Sequence, residues 1–201
     1  MTDGASTYRI LMVCTGNICR SPFMERLFVA RLRAGLPEAE VARFTVESAG
    51  TWGLVDHPME PAALATLEAR GGDASDFVGR ALAVEMIESA DLVLAATREH
   101  RGLIVTELPR AASRTLTLRE FARLLGPVTP EQITAEAGTD PVERFRAIAR
   151  AAFGNRGLVP MVDPAADDIG DPYKRSQVEY DRAAVEIDEA LAVPLNLLLT
   201  T

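Results

Sequence analysis

Tyr8-Arg9-Ile10-Leu11-Met12-Val13-Cys14-Thr15-Gly16-Asn17-Ile18-Cys19-Arg20-Ser21-Pro22 is the stretch on which the fold turns. The apolar run from Ile10 to Val13 reads as a central strand buried on both faces, as in a parallel sheet. Pro22 suits a first helical turn, Phe23, Leu27, Ala30 and Ala34 follow at helical spacing, and Gly35 suits the helix end. A strand, a tight loop and a helix form the opening unit of an α/β fold, and ligands there bind outside the carboxyl end of the strand.

Outward from this unit, the pattern predicts further strands over 44–48, 91–95 and 115–118. Helices are expected over 61–70, 83–90, 98–108, 119–125, 142–153 and 176–199, the last kinked at Pro194. Right-handed crossovers make the simplest arrangement a three-layer α/β fold, with a four-stranded parallel sheet in the order 2-1-3-4 and helices on both faces. Between 126 and 166 the character changes, with Pro127, Pro130, Pro141, Pro160 and Pro164 punctuating the chain. That stretch is expected to be a helical insertion or lid within a single domain spanning 1–201.

Composition narrows the function. The 201 residues are 48% hydrophobic and 25% charged, which suits one globular domain with a real core. Lys and Arg number 21 against 29 Asp and Glu, a net charge of −8, so neither nucleic acid nor an anionic membrane is expected as the main partner. No apolar run approaches the roughly 20 residues of a membrane span, and residues 1–9 are short and polar, without a signal-peptide core. Two cysteines, five positions apart, are too few for a disulfide framework. A cytoplasmic protein whose cysteines do chemistry is the expectation.

The chemistry is expected in the loop. Main-chain N–H groups between Cys14 and Arg20 can converge as an anion nest, reinforced by the helix N-terminus. Gly16 and Asn17 are residue types that reach positive φ. The dipoles that attract an oxyanion also favour a thiolate at Cys14. Arg20 offers a planar fork for two phosphate oxygens, and Ser21 is placed to donate to the sulfur. If Cys14 were merely a small core residue and Arg20 a surface charge, the Gly-Asn pair and the open strand end would have no explanation. In-line displacement also needs a proton donor opposite the sulfur. Asp171-Pro172-Tyr173 offers one, since Pro172 keeps Asp171 extended and Tyr173 can wall an aromatic ring. Asp140-Pro141 and Asp163-Pro164 are the same dipeptide and read as turns. His57 and His100 stand isolated, without ligand spacing, so no metal or other cofactor is expected.

The whole string from Val13 to Pro22 resembles the signature of the low-molecular-weight protein tyrosine phosphatases, which also carry a second cysteine matching Cys19. The resemblance is strong over 10–50 and weaker from 167 to the last helix. It implies a protein-tyrosine phosphatase acting on a phosphotyrosine protein or aryl phosphate through a phosphocysteine, with a tyrosine kinase as the opposing activity. By the same resemblance Cys14 is the nucleophile and Arg20 with Thr15, Gly16, Asn17, Ile18, Cys19 and Ser21 holds the phosphate. Of the three Asp-Pro pairs it singles out Asp171 as general acid and base, because the family's acid lies just before the last helix. Trp52 falls near the family's substrate-selecting loop, Tyr173 joins it as a substrate contact, and Ser48 is implied to support Asn17. Cys19 is implied to protect Cys14 as a reversible disulfide.

Departures from the family are visible too. Phe77-Val78-Gly79-Arg80 stands where a histidine usually braces the asparagine, Thr97 stands where a methionine and an aspartate usually follow the third strand, and Lys174 replaces a second aromatic. The stretch 126–166 has no counterpart in short members. Two other classes stay open on the sequence: an arsenate reductase that passes its adduct to a small external thiol, and a non-catalytic phosphoprotein-binding module.

Overall fold

The computed structural model describes residues 6–200. Four strands, β1 (Tyr8–Cys14), β2 (Phe44–Gly50), β3 (Leu92–Ala95) and β4 (Thr115–Thr117), form one parallel sheet in the order β2-β1-β3-β4. The helices are α1 (Arg20–Gly35), α2 (Glu38–Val41), α3 (Pro61–Glu68), α4 (Val84–Ser89), α5 (Arg98–Glu107), α6 (Leu118–Leu125), α7 (Pro130–Ala137), α8 (Pro141–Gly154) and α9 (Gln177–Leu199). Strand alternation sorts β1 between two layers. Ile10, Met12 and Cys14 join the core built with α1, α6, α8 and α9, whereas Leu11 and Val13 pack with Ile87 of α4 and Ile104 of α5.

Local chemistry sets where elements stop. β2 runs two residues past its expected end because Cys14 still pairs with Gly50. A Cβ at Gly50 would lie 2.4 Å from the Thr15 carbonyl oxygen, so only glycine lets this strand end so close to the loop. β4 ends at Thr117, a residue early, because its side chain turns to cap α6, accepting from the Glu120 N–H at 3.0 Å in a capping box.

Two expected buried stripes shift along their helices. On α1 the buried face runs through Phe23, Met24, Leu27, Phe28 and Leu32, while Ala34 is exposed. On α9 Val178 is exposed, Tyr180 and Ala183 take the inward positions, and the helix continues through Pro194.

The stretch 126–166 carries α8, with its expected helix, and also α7, whose Thr129–Gln132 capping box the proline count obscured. Phe145 of α8 meets Tyr8, Phe28 and Phe44 edge-on at ring distances of 5.2, 5.6 and 5.9 Å. That is the end of the sheet where β1 and β2 begin, opposite Cys14. Arg144, 1% exposed, donates to the carbonyls of Leu197, Leu198 and Gly138 and to the Thr134 hydroxyl. A buried guanidinium thus closes the end of α9, where helical carbonyls lack partners.

Candidate active site

Residues 15–19 cross from the end of β1 to the start of α1 with their carbonyls turned outward. The carbonyls of Cys14, Thr15, Gly16 and Ile18 accept N–H groups from Thr51, Trp52, Leu54 and Glu60, at 2.9, 2.9, 3.0 and 2.8 Å. Among the described residues, no N–H of residues 15–19 donates to a protein acceptor. Outward carbonyls and unspent inward N–H groups make a concave donor array at a helix N-terminus, the geometry that binds oxyanions. Asn17 alone takes positive φ, 54°; Gly16 does not, so the loop needs one left-handed residue, not the two expected.

The sulfur of Cys14 lies 3.0 Å from the Ser21 hydroxyl. Ser21 Oγ accepts from Asn17 Nδ2 at 2.9 Å, and its own proton has two acceptors in reach, the sulfur at 3.0 Å and the more distant Ala49 carbonyl at 3.4 Å. Asn17, fully buried, also donates to Ser48 Oγ at 2.8 Å, and its Oδ1 accepts the Arg80 N–H at 2.8 Å. The Ser48 hydroxyl in turn donates to Glu25 Oε2 at 2.6 Å. Glu25 is buried, and desolvation raises its carboxyl above the ordinary range against the lowering effect of Ser48 and Arg26.

The segment Phe77–Arg80 carries no histidine, and its main-chain N–H at Arg80 braces the Asn17 amide oxygen. Phe77 is buried with the Arg26 guanidinium over its ring at 5.5 Å, while Arg26 pairs with Glu25 at 3.1 Å. Neither Glu25 nor Arg80 was expected in the site. A carboxylate on the inward stripe of α1, among Met24, Leu27 and Phe28, is the signal that could have found Glu25.

Arg20 points across the loop. Its Nη1 donates to the Ile169 carbonyl at 3.1 Å, and its Nη2 pairs with Asp171 Oδ2 at 2.9 Å. The Nε atom is buried without a partner, a donor the protein itself leaves unused.

Asp171 is half-exposed and stands on a loop fastened on its N-terminal side. Arg123 grips Asp167 bidentately at 3.0 and 2.8 Å, Asp168 accepts the Arg98 N–H at 2.7 Å, and buried Ile169 donates to the Ala96 carbonyl at 2.9 Å. The side chains of Asp140 and Asp163 accept main-chain N–H groups at helix starts, and Asp171 Oδ1 likewise accepts the Tyr173 N–H at 3.2 Å, so it is the ion pair with Arg20 that sets Asp171 apart.

A cavity of about 180 Å³ opens over Cys14, between Ile18 and Leu54 on one side and Trp52, Tyr173 and Asp171 at the mouth. Trp52 is 78% exposed and Tyr173 39%, so both rings stand at the rim. Lys174, at φ 57°, lays its ammonium over the Tyr173 ring at 5.1 Å. No residue of 126–166 lines this cavity.

Cys19 is buried beside Phe23 and Tyr180, and both cysteines are free. Burial, with Cys14 and Asp171 adding to it, pushes the Cys19 thiol up to about 12. It therefore stays protonated near neutrality, unlike a reactive cysteine.

The description "Low molecular weight phosphotyrosine protein phosphatase" belongs to the family profile that matches residues 9–126. Escherichia coli K12 holds a relative named low molecular weight protein-tyrosine-phosphatase Etp, 40% identical over 112 residues, covering 56% of this chain and 70% of that one. A protein-arginine-phosphatase of Bacillus subtilis is 37% identical over 112 residues, covering 56% of this chain and 71% of its own. Among solved structures, a cysteine-to-serine mutant of the YwlE arginine phosphatase, with a phosphorylated active-site serine, superposes with a TM-score of 0.66. Its identity is 26%, and the match covers 96% of each chain. The profile match spans more than half the chain and takes in β1, the Cys14 loop, α1 and the sheet order that sets them, so the chain belongs to the low molecular weight phosphotyrosine protein phosphatase family.

Proposed function

We propose that this phosphatase hydrolyses aryl phosphate monoesters, phosphotyrosine in proteins foremost, through a phosphocysteine on Cys14. The observation that carries the reading is the run of five loop N–H groups that find no protein acceptor, set with the Arg20 guanidinium around the cavity over Cys14, an array of donors that suits an acceptor-rich oxyanion.

The steps follow from positions. The Cys14 sulfur attacks phosphorus, the P–O bond to the leaving oxygen breaks, and Asp171 gives that oxygen its proton. Asp171 is paired with Arg20 at 2.9 Å. An arriving phosphoryl dianion draws the guanidinium to itself and sets a like charge beside the carboxylate. Water then attacks the phosphocysteine, Asp171 takes its proton, and phosphate leaves with the sulfur restored. Ser21 steadies the sulfur both as nucleophile and as leaving group. Trp52 and Tyr173 flank a flat ring at the mouth, which favours an aryl ester.

The relatives include a protein-tyrosine-phosphatase and a protein-arginine-phosphatase, so the competing substrate is phosphoarginine. Turnover of p-nitrophenyl phosphate, a phosphotyrosine peptide and a phosphoarginine peptide by wild type, Cys14→Ser and Asp171→Ala tests the proposal. Activity is expected to vanish in Cys14→Ser and to fall about 10²–10⁴-fold in Asp171→Ala. Preference for the phosphoarginine peptide would replace the substrate reading and leave the chemistry. Full activity in Cys14→Ser would overturn the mechanism.

A further inference from the structure

The phosphate loop has a second brace, on the side away from Asn17. Thr97 caps α5: its Oγ1 accepts the His100 N–H at 3.3 Å and lies 2.7 Å from the Nδ1 of the His100 ring. The other ring nitrogen, Nε2, lies 2.8 Å from Thr15 Oγ1, next in chain to Cys14. That same oxygen accepts from Arg20 Nη2 at 3.2 Å. The ring is 5% exposed, so a continuous chain of short contacts runs from the β3–α5 corner to the phosphate-binding guanidinium.

Counting protons limits what this chain can do. Burial and the Arg20 guanidinium, opposed by Asp171, bring the His100 pKa down to about 4, so the ring is neutral at physiological pH and carries one N–H. In one arrangement Thr97 donates to Nδ1, Nε2–H donates to Thr15, and the Thr15 hydroxyl proton stays free. In the other Thr15 spends its proton on Nε2. Thr15 lines the cavity over Cys14, where a phosphoryl group offers only acceptors. Only the first arrangement adds a donor there.

We propose that His100 is a positioning residue: as the Nε2–H tautomer it holds Thr15 so that the Thr15 hydroxyl donates to the bound phosphoryl group while its oxygen steadies Arg20. This rests on the reading of the Cys14 loop as a phosphoryl site. His100 touches no reacting atom and acts through Thr15.

Two measurements test it. The chain has two histidines, and His57 is exposed, so long-range ¹⁵N–¹H correlation spectra assign each ring directly, with His100→Gln identifying the lost signal. A protonated Nε2 on His100 is expected; a protonated Nδ1 overturns the proposal, whether or not the enzyme turns over.

The second measurement is a double-mutant cycle on His100→Asn and Thr15→Val, read as inorganic phosphate affinity by calorimetry and as kcat/KM for p-nitrophenyl phosphate. Asn reaches Thr97 but not Thr15. Each single change is expected to lower both quantities about ten- to a hundredfold, the worth of one charge-assisted hydrogen bond. The double variant should be no worse than Thr15→Val, and His100→Gln, whose amide reaches Thr15, should recover most of the loss. Additive losses overturn the coupling. Phosphate binding without turnover would reject the hydrolytic function and leave this cycle readable, whereas a wild type that binds no phosphate rejects both.

Discussion

Replacing Asn17 by alanine tests whether side chains or the bare loop backbone hold the phosphate site. Its amide makes hydrogen bonds at 2.9, 2.8 and 2.8 Å to Ser21, Ser48 and the Arg80 N–H, in a residue with no exposed surface. Three buried bonds at about 1 kcal/mol each give about 3 kcal/mol. Ser21 and Ser48 keep other partners, Cys14 and Glu25, but the Arg80 N–H has none left, which keeps the sum from falling lower. The φ of 54° adds about 1 kcal/mol, since alanine is strained there and asparagine tolerates it. Asn17→Ala should therefore lose about 4 kcal/mol, a large fraction of a typical domain's stability. Asn17→Gly relieves the strain but not the lost bonds, so it should unfold at a urea concentration no lower than Asn17→Ala does. Urea unfolding followed by circular dichroism gives the stability, and kcat/KM for p-nitrophenyl phosphate the geometry of the loop. A loss below about 1 kcal/mol with activity retained in both variants would show that the main-chain bonds from Thr51, Trp52 and Leu54 suffice without the amide.

Other consequences follow from buried charge. His100 binds its proton less readily folded than unfolded, so stability should fall as pH drops from about 6.5 toward 4, by about 2–3 kcal/mol from this group. His100→Gln should flatten that part of the stability–pH curve, and an unchanged slope would refute the assignment. Glu25 has the opposite sign: its carboxyl is raised, so its favourable contribution belongs to low pH and is lost as pH rises through its folded value. Glu25→Gln, which keeps an acceptor for Ser48, should gain stability relative to wild type as pH rises and show no gain in acid. Arg144→Met should lose about 3 kcal/mol in urea unfolding, because the carbonyls at the end of α9 lose their donor, while kcat/KM stays within about twofold. Equal stability would mean that the apolar side chain compensates in full.

Sheet order, the strand–loop–helix unit and the candidates Cys14 and Arg20 were legible in the residues, because each rests on a local rule, whereas Asp171 stood out among three Asp-Pro pairs only through the family resemblance. A run of apolar residues has to be buried on both faces, positive φ selects Asn17, and Pro172 keeps Asp171 out of a helix. The chain by itself named the candidates for attack, binding and proton transfer. It did not determine what holds them. Glu25 lies on an amphipathic helix and His100 next to a helix cap, and neither position signals chemistry until the parallel register sets Cys14 against Gly50 and Val13 against Ala95. That register carries Ser48 under Asn17 and His100 beside Thr15, across separations of 31 and 85 residues. The stretch 126–166 shows the same division: its prolines are visible in the sequence, but only packing shows that Phe145 fills the core at the end away from the site. Hydrogen bonds reach about 3 Å and carry no trace along the chain of where their partner will be, so the supporting shell belongs to the tertiary structure.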